Sequence, residues 1–280
     1  MYTDSGEHIF SDSQVAALRM TIAGVVLLPF AIRSLKNLES VKEVVLLLVV
    51  GLSGNFFPAF LFTYAETGIS SGYAGMLNSF TPIFALIIGF VIFKERLSRV
   101  QVVGVAIGTI GVVLLMLAGS RLYILGGWSH IFAIVLATFF YGVSLNTIKY
   151  TLQKFNSIQI TSLAFFLILL PSIVISIYNG AFKEVVNNEF AVEGMTYLTV
   201  LSVVGTAFAV MLFNKLVAMS SVLFASSVTY LIPVVAVVIG IAYNESISFK
   251  QIGAMGIIFT GVFIANYLPK MKRFTRVRLN

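Results

Sequence analysis

The feature that most constrains this chain is a series of nine apolar stretches, each about as long as a lipid bilayer is thick. A helix needs about 20 apolar residues to cross roughly 30 Å of hydrocarbon. The stretches are 13–35, 43–65, 71–93, 98–118, 128–150, 158–180, 195–215, 221–243 and 249–268. Only 10% of the 280 residues are charged, whereas a soluble domain carries about a quarter. We therefore predict an all-α polytopic membrane protein with nine transmembrane helices.

A sequence pattern occurs twice, about 150 residues apart. Each copy contains small polar residues, a proline, about ten apolar residues and an acidic residue where the helix ends. The first copy has Pro82 and Glu95, and the second has Pro233 and Glu245. Two correctly spaced copies of this pattern indicate that the membrane unit has been duplicated.

The basic residues are distributed unevenly over the predicted loops. Cytoplasmic loops of membrane proteins are enriched in Lys and Arg, and the tail after residue 268 carries five of them. With this tail in the cytoplasm and nine spans, fourteen basic residues lie inside and three outside. We therefore predict an N-terminus outside the cytoplasmic membrane and a cytoplasmic C-terminus. The same distribution accounts for the net charge of +7, so no nucleic-acid partner is predicted.

The predicted topology makes the two copies cross the membrane in opposite directions. Inverted repeats are typical of alternating-access carriers, whose substrate site lies near the middle of the membrane. The first repeat is predicted at 1–119 with four helices and the second at 120–280 with five. The helix at 128–150 has no equivalent in the first half, so the first helix of a ten-helix duplication is predicted to be missing.

These residues resemble the drug/metabolite transporter superfamily, and in particular its EamA-type branch of ten-helix transporters. The resemblance rests on Ala-Ala-Leu-Arg-Met at 16–20, on the run 79–98, and on Gly104, Gly108 and Gly111 in the next helix. It implies a multi-pass plasma-membrane carrier, in the inner membrane of a bacterium, that exports small metabolites or amphiphilic compounds. The missing helix leaves an alternative, which is a non-transporting membrane subunit or a truncated gene product.

Polar residues in the middle of the predicted spans are candidates for substrate contacts. Proline leaves the carbonyl four residues earlier without its helix bond, so the carbonyls of Asn78 and Thr229 need other partners. We expect both pre-proline segments to face one cavity. The predicted substrate-binding residues are Asn55, Asn78, Ser79, Tyr141, Ser226 and Tyr230. In the alternative interpretation these side chains only satisfy the freed carbonyls or join helices.

Charged residues are scarce inside the spans. Arg19 is the single basic residue within one, and its side chain can reach the outer interface, which favours snorkelling over substrate binding. No Asp or Glu lies in the middle third of a span, and Glu66 is at a helix end, so no proton-coupling carboxylate is predicted.

The sequence also limits the reactions, cofactors and partners that can be expected. It has no cysteine, no phosphate-binding loop motif and no cluster of metal ligands, so we expect no enzyme, no metal and no cofactor. The predicted partners are a small-molecule substrate and the lipid bilayer. Gly104 and Gly108 in the fourth helix, and Gly253 and Gly256 in the ninth, allow close packing, either within the chain or in a homodimer.

Overall fold

A computed structural model describes residues 9–118, 127–235 and 248–266. These residues form helices, and no β-strand occurs among them. The helices are α1 (Asp12–Asn37), α2 (Val41–Ala65), α3 (Ser71–Val91), α4 (Arg99–Ala118), α5 (Trp128–Thr151), α6 (Ser157–Tyr178), α7 (Ala181–Asn187), α8 (Ala191–Met219), α9 (Val222–Val235) and α10 (Phe249–Asn266). The prediction of an all-α polytopic membrane protein is confirmed.

Eight of these helices are long and apolar enough to cross a membrane. The two that are shorter are α7, which connects α6 to α8, and α9. The predicted span 221–243 corresponds to α9, which is described only as far as residue 235. The rest of that span, Glu245 and the basic tail lie outside the described residues.

Helix starts are fixed by local polar signals. Ser11 Oγ accepts from Gln14 N at 3.3 Å, and Gln14 Oε1 accepts from Ser11 N at 2.9 Å. The same reciprocal arrangement joins Asn156 and Gln159, with both distances at 2.9 Å. Such capping boxes satisfy two backbone donors that would otherwise be free at the helix start. They place the starts of α1 and α6 one residue before the predicted positions.

Helices of the two halves pack against their sequence equivalents. α1 lies along α6, α4 lies along α10, and the pre-proline segments of α3 and α9 touch. The approach of α4 and α10 requires glycine, because a Cβ on Gly104 or Gly261 would collide with the backbone of the other helix. Of the two glycine pairs considered for a homodimer, the pair in α4 therefore packs inside the chain. Gly253 and Gly256 face open space.

Helix irregularities also occur in equivalent places. α2 contains a π-helical turn at Leu52–Phe56 and α8 contains one at Val203–Phe208. Their first residues are 151 apart (203 − 52), which is also the distance between the two motif prolines (233 − 82). Turns of 3₁₀-helix precede both prolines, at Asn78–Phe80 in α3 and Ser227–Tyr230 in α9. Such departures from the α-helix often mark functional sites.

One end of the bundle is closed by apolar packing. Leu47 at the start of α2, Ile148 at the end of α5 and Val217 at the end of α8 belong to one buried cluster. Outside it, Lys154 Nζ lies 2.7 Å from a carboxylate oxygen of Glu43 and 3.0 Å from one of Glu39. The hydrogen bond with Glu43 raises the pKa of Lys154. Exposed ion pairs of this kind stabilise little, so the apolar cluster is the main closure.

Candidate functional site

A cavity of about 550 Å³ lies among α1, α2, α3, α5, α8 and α9. All four irregular turns contribute to its wall, through Asn55 and Asn78 from the first half and Thr206 and Thr229 from the second. Its size falls within the roughly 300–1,000 Å³ of small-molecule sites in proteins. The apolar part of the wall includes Val15, Met20, Phe62, Leu145, Ile148, Val210 and Phe213.

Three of the six predicted site residues line this cavity, namely Asn55, Asn78 and Tyr141. Asn55 is 7% exposed, and its amide has no hydrogen-bond partner within the described ranges, so it can bind a ligand. The carbonyl of Asn78, which Pro82 deprives of its helix bond, accepts from the Thr81 hydroxyl at 2.8 Å. The backbone N–H of Thr81 also donates to this carbonyl, so the Asn78 amide is not needed to satisfy it, and Asn78 Oδ1 lies 3.1 Å from the same Thr81 hydroxyl.

The two predicted serines lie outside the cavity wall. Ser79 Oγ donates to the carbonyl of Thr229 at 3.3 Å, which is the carbonyl freed by Pro233. It thereby joins α3 to α9. Ser226 Oγ donates to Leu223 O in its own helix at 3.0 Å. Both serines have the structural role that the alternative interpretation assigned to such side chains.

Tyr230 also points away from the cavity, and the expectation that it faces the cavity is wrong. It is 1% exposed, and its hydroxyl lies 3.2 Å from both Val105 O and Thr109 Oγ1 in α4. Its ring fills the space that Gly108 leaves on that helix. The 3₁₀ turn explains the error, because it rotates residues by about 120° each instead of 100°. This turn brings Thr229 to the cavity and directs Tyr230 to α4.

A pair of opposite charges lies in the cavity wall and was not predicted there. Arg19 Nε donates to Thr206 Oγ1 at 2.7 Å, in the π-helical turn of α8. The guanidinium therefore crosses to another helix, and the snorkelling interpretation is wrong. Glu66, which caps the end of α2, also lines the cavity. Partial desolvation raises the pKa of Glu66, against the opposing effects of Ser71 and Arg19.

The electrostatics of the site follow from this pair. Tyr141 and Glu66 are the ionisable groups that interact with Arg19. Thr63, Thr81 and Asn214 add hydrogen-bonding groups to a wall that is otherwise mostly apolar. Within the described ranges, no group of three or more His, Cys, Asp or Glu side chains could hold a metal ion. The wall therefore presents both charged and apolar groups to a molecule in the cavity.

A sequence model of the EamA-like transporter family matches residues 4–117 and 128–267. The chain belongs to the EamA-like transporter family. It is therefore an integral membrane transporter, and the resemblance stated from its sequence is confirmed. The wall residues Arg19, Asn55, Asn78 and Tyr141 all lie within the matched ranges.

Relatives of this EamA-like transporter have similar lengths. A protein of Acidianus ambivalens named "Uncharacterized transporter in sor 3'region" is 26% identical over 263 residues, which cover 92% of this chain and 94% of the relative. A probable terminal-alkyne amino-acid exporter of Streptantibioticus cattleyicolor is 24% identical over 259 residues, covering 89% and 82%. A probable amino-acid metabolite efflux pump of Salmonella typhimurium is 25% identical over 243 residues, covering 83% and 80%.

A solved crystal structure shares the fold. It superposes with a TM-score of 0.68 at 17% sequence identity, and the match covers 94% of this chain and 89% of the other.

Proposed function

We propose that this transporter exports small metabolites that carry a carboxylate, an ammonium group and an apolar part, as free apolar amino acids do. The observation that supports this is the presence of Arg19 and Glu66 in the wall of one largely apolar cavity. Arg19 pairs with the substrate carboxylate and Glu66 with the ammonium group, while the apolar part packs on Phe62 and Phe213. The names of the relatives from Streptantibioticus cattleyicolor and Salmonella typhimurium point to the same substrate class.

The position of Arg19 suits recognition of a carboxylate. Guanidinium has five N–H donors in a planar fork, and Thr206 occupies the one on Nε. This contact fixes the fork and leaves the terminal nitrogens for a two-point contact with a carboxylate. A charge inside a membrane protein is costly unless it is paired, so the substrate supplies the partner that Arg19 requires. Asn55, Asn78 and Tyr141 are proposed to contact the remaining polar atoms.

Transport is proposed to proceed by alternating access of two inverted repeats, residues 1–119 and 120–280. The matched irregular turns in α2 and α8, and in α3 and α9, support this division. All four turns line the cavity, so each repeat supplies part of the site and a rocking motion can open it to either side. The apolar cluster around Leu47 and Val217 closes the end that we assign to the cytoplasm. In this orientation the N-terminus lies on the outer side of the membrane.

Counterflow in liposomes that contain the purified protein tests this proposal. The three probes are leucine, leucinamide, which lacks the carboxylate, and 4-methylpentanoate, which lacks the amine. Arg19→Gln removes a charged hydrogen bond of roughly 1.5–3 kcal/mol, so the KM for leucine should rise about ten- to a hundredfold. Its KM for leucinamide should change little. Glu66→Gln should affect leucine and leucinamide and spare 4-methylpentanoate.

The matched control is Arg33→Gln, which neutralises an exposed arginine at the other end of α1. It should leave all three KM values unchanged. The proposal is wrong if wild-type protein moves none of the three probes, or if Arg19→Gln changes transport of leucinamide as much as transport of leucine.

A further inference from the structure

Two oxygen acceptors converge on a glycine at the end of α3. A Cβ built on Gly89 would lie 2.9 Å from Asn146 Oδ1 and 2.9 Å from Glu95 Oε2. The two oxygens are therefore no more than twice 2.9 Å apart. The space beside them is empty because glycine has no Cβ. Gly89 is buried and Asn146 is 0% exposed. Neither residue lines the cavity described above.

The amide of Asn146 is fixed so that its oxygen faces this space. Its Nδ2 donates to Ala85 O at 2.9 Å and to Gly142 O at 2.8 Å. Both partners are acceptors, so exchanging the amide nitrogen and oxygen would lose both bonds. Its Oδ1 has no hydrogen-bond partner in the described part of the chain. A buried acceptor without a donor is unfavourable, and the other oxygen that approaches Gly89 belongs to an acidic side chain.

The loop after α3 brings that side chain back to the helix end. Lys94 has a positive φ of 54°, which reverses the chain, and Glu95 N donates to Gly89 O at 2.9 Å. The carboxylate thus lies at the negative end of the α3 dipole. The hydroxyl of Tyr150 donates a hydrogen bond to this carboxylate, and the ring of Tyr150 stacks on Phe93 with centroids 5.2 Å apart. A carboxylate, an amide oxygen and a helix C-terminus all favour positive charge.

We propose that Gly89, Glu95 and Asn146 form a binding site for a sodium ion. Oxygen ligands suit a hard cation, and helix C-terminal ends coordinate sodium in other carriers. One carboxylate balances one positive charge. This charge balance favours a monovalent ion over a divalent one. A bound ion would give Asn146 Oδ1 the partner that it lacks.

The site lies beside the closed end of the bundle. Ala85, which accepts from Asn146, belongs to the same apolar cluster as Leu47 and Val217. Sodium would therefore join α3 to α5 where the two halves meet and would stabilise this closure. Coupling of sodium to transport rests on the proposed function, whereas binding of the ion does not.

Thermal unfolding of the purified full-length protein tests the binding. Melting is measured at one pH in sodium chloride and in choline chloride of equal ionic strength. A ligand that binds only the folded state raises Tm as its concentration rises, so Tm should increase with sodium and not with choline. Gly89→Ala, which places a methyl group in the ion's space, and Glu95→Gln, which removes the charge, should each abolish the increase. Glu189→Gln, which neutralises an exposed carboxylate, should retain it.

Binding of radioactive sodium to the same proteins gives a second readout that does not depend on unfolding. Wild-type protein and Glu189→Gln should bind sodium, and Gly89→Ala should not. If Glu95→Gln does not fold, Gly89→Ala and this binding assay decide the question. Equal Tm in the two salts, or a sodium effect that survives Gly89→Ala, would overturn the proposal. Neither assay contains a substrate, so failed leucine counterflow would affect only the proposed function.

Discussion

The segments before Pro82 in α3 and before Pro233 in α9 share a sequence pattern and a 3₁₀ turn, yet their polar groups have different partners. In α3 the freed carbonyl of Asn78 is satisfied within its own helix, by Thr81 at 2.8 Å. In α9 the freed carbonyl of Thr229 is satisfied by Ser79 from the other segment, at 3.3 Å. Two turns with the same backbone irregularity can therefore direct their polar groups to different partners.

The difference arises from the neighbouring helices. Gly108 leaves a space on α4 that the ring of Tyr230 occupies, so this side chain holds α4, α9 and α10 together. Asn78, in the corresponding turn of α3, lines the cavity instead. The α3 segment therefore contributes mainly an amide in the cavity wall. The α9 segment contributes mainly a buried aromatic ring that packs against neighbouring helices.

The largest effect is expected for Tyr230→Ala. Removing a fully buried aromatic ring leaves a cavity and costs about 3–5 kcal/mol of stability, so the Tm of the purified protein should fall strongly. Tyr230→Phe keeps the ring and should cost only about 1 kcal/mol. If both variants melt like wild type, the ring is not the anchor that distinguishes α9 from α3.

A second comparison concerns the glycines of the two π-helical turns. A Cβ on Gly54 would collide with Ser144 of α5, whereas one on Gly205 meets only Leu201 Cδ1, at 3.2 Å. Gly54→Ala should therefore cost about 1–3 kcal/mol through overpacking, and Gly205→Ala should cost much less. The difference in Tm between the two variants is the measurement, and a larger loss for Gly205→Ala would contradict the packing described here.

The two hydroxyl groups that donate to the freed carbonyls provide a third comparison. Thr81→Val preserves shape and removes the hydroxyl donor to Asn78 O. Because the backbone N–H of Thr81 still donates to this carbonyl, the loss should be about 1 kcal/mol. Ser79→Ala removes a longer bond between helices and should cost about 0.6 kcal/mol, a typical value for such bonds in membranes. Tm values rank the two effects. Equal losses would mean that the 3.3 Å bond to Thr229 is as strong as the 2.8 Å bond.

The smallest effect on stability, together with a measurable effect on transport, is expected for Asn78→Leu. The substitution removes a polar contact worth about 1 kcal/mol in the cavity, so the KM for leucine should rise about fivefold while Tm changes little. Tyr230→Phe should show the reverse, with a lower Tm and an unchanged KM. Transport and melting curves of both variants would separate a ligand contact from a packing contact.

The helices could be predicted from the sequence because their signals are local. Apolar length determines the spans, and caps such as Ser11 with Gln14 determine where they start. Asn55, Asn78 and Tyr141 line the cavity, in keeping with the rule that a polar group in mid-span must face protein or water, while their binding of substrate stays a prediction.

The remaining site residues depend on information that a single helix does not carry. Whether Arg19 reaches the interface or Thr206 depends on how closely α8 approaches α1. Glu66 was correctly placed at a helix end, but only the packing shows that this end opens into the cavity. The direction of Tyr230 depends on the extra rotation of a 3₁₀ turn and on the space beside a glycine of another helix.

The presence of Arg19 and Glu66 in the wall of one cavity has an electrical consequence. A membrane potential acts on each unit charge with about 2.3 kcal/mol per 100 mV, so an unpaired charge in a moving wall would make the motion depend on voltage. Arg19 and ionised Glu66 sum to zero charge, and the zwitterionic substrate that we propose adds none. The step that carries the substrate across should therefore run at the same rate in a polarised and a depolarised membrane. Neutralising Glu66 alone would leave Arg19 exposed to the field and would give the transporter a voltage dependence that the native pair suppresses.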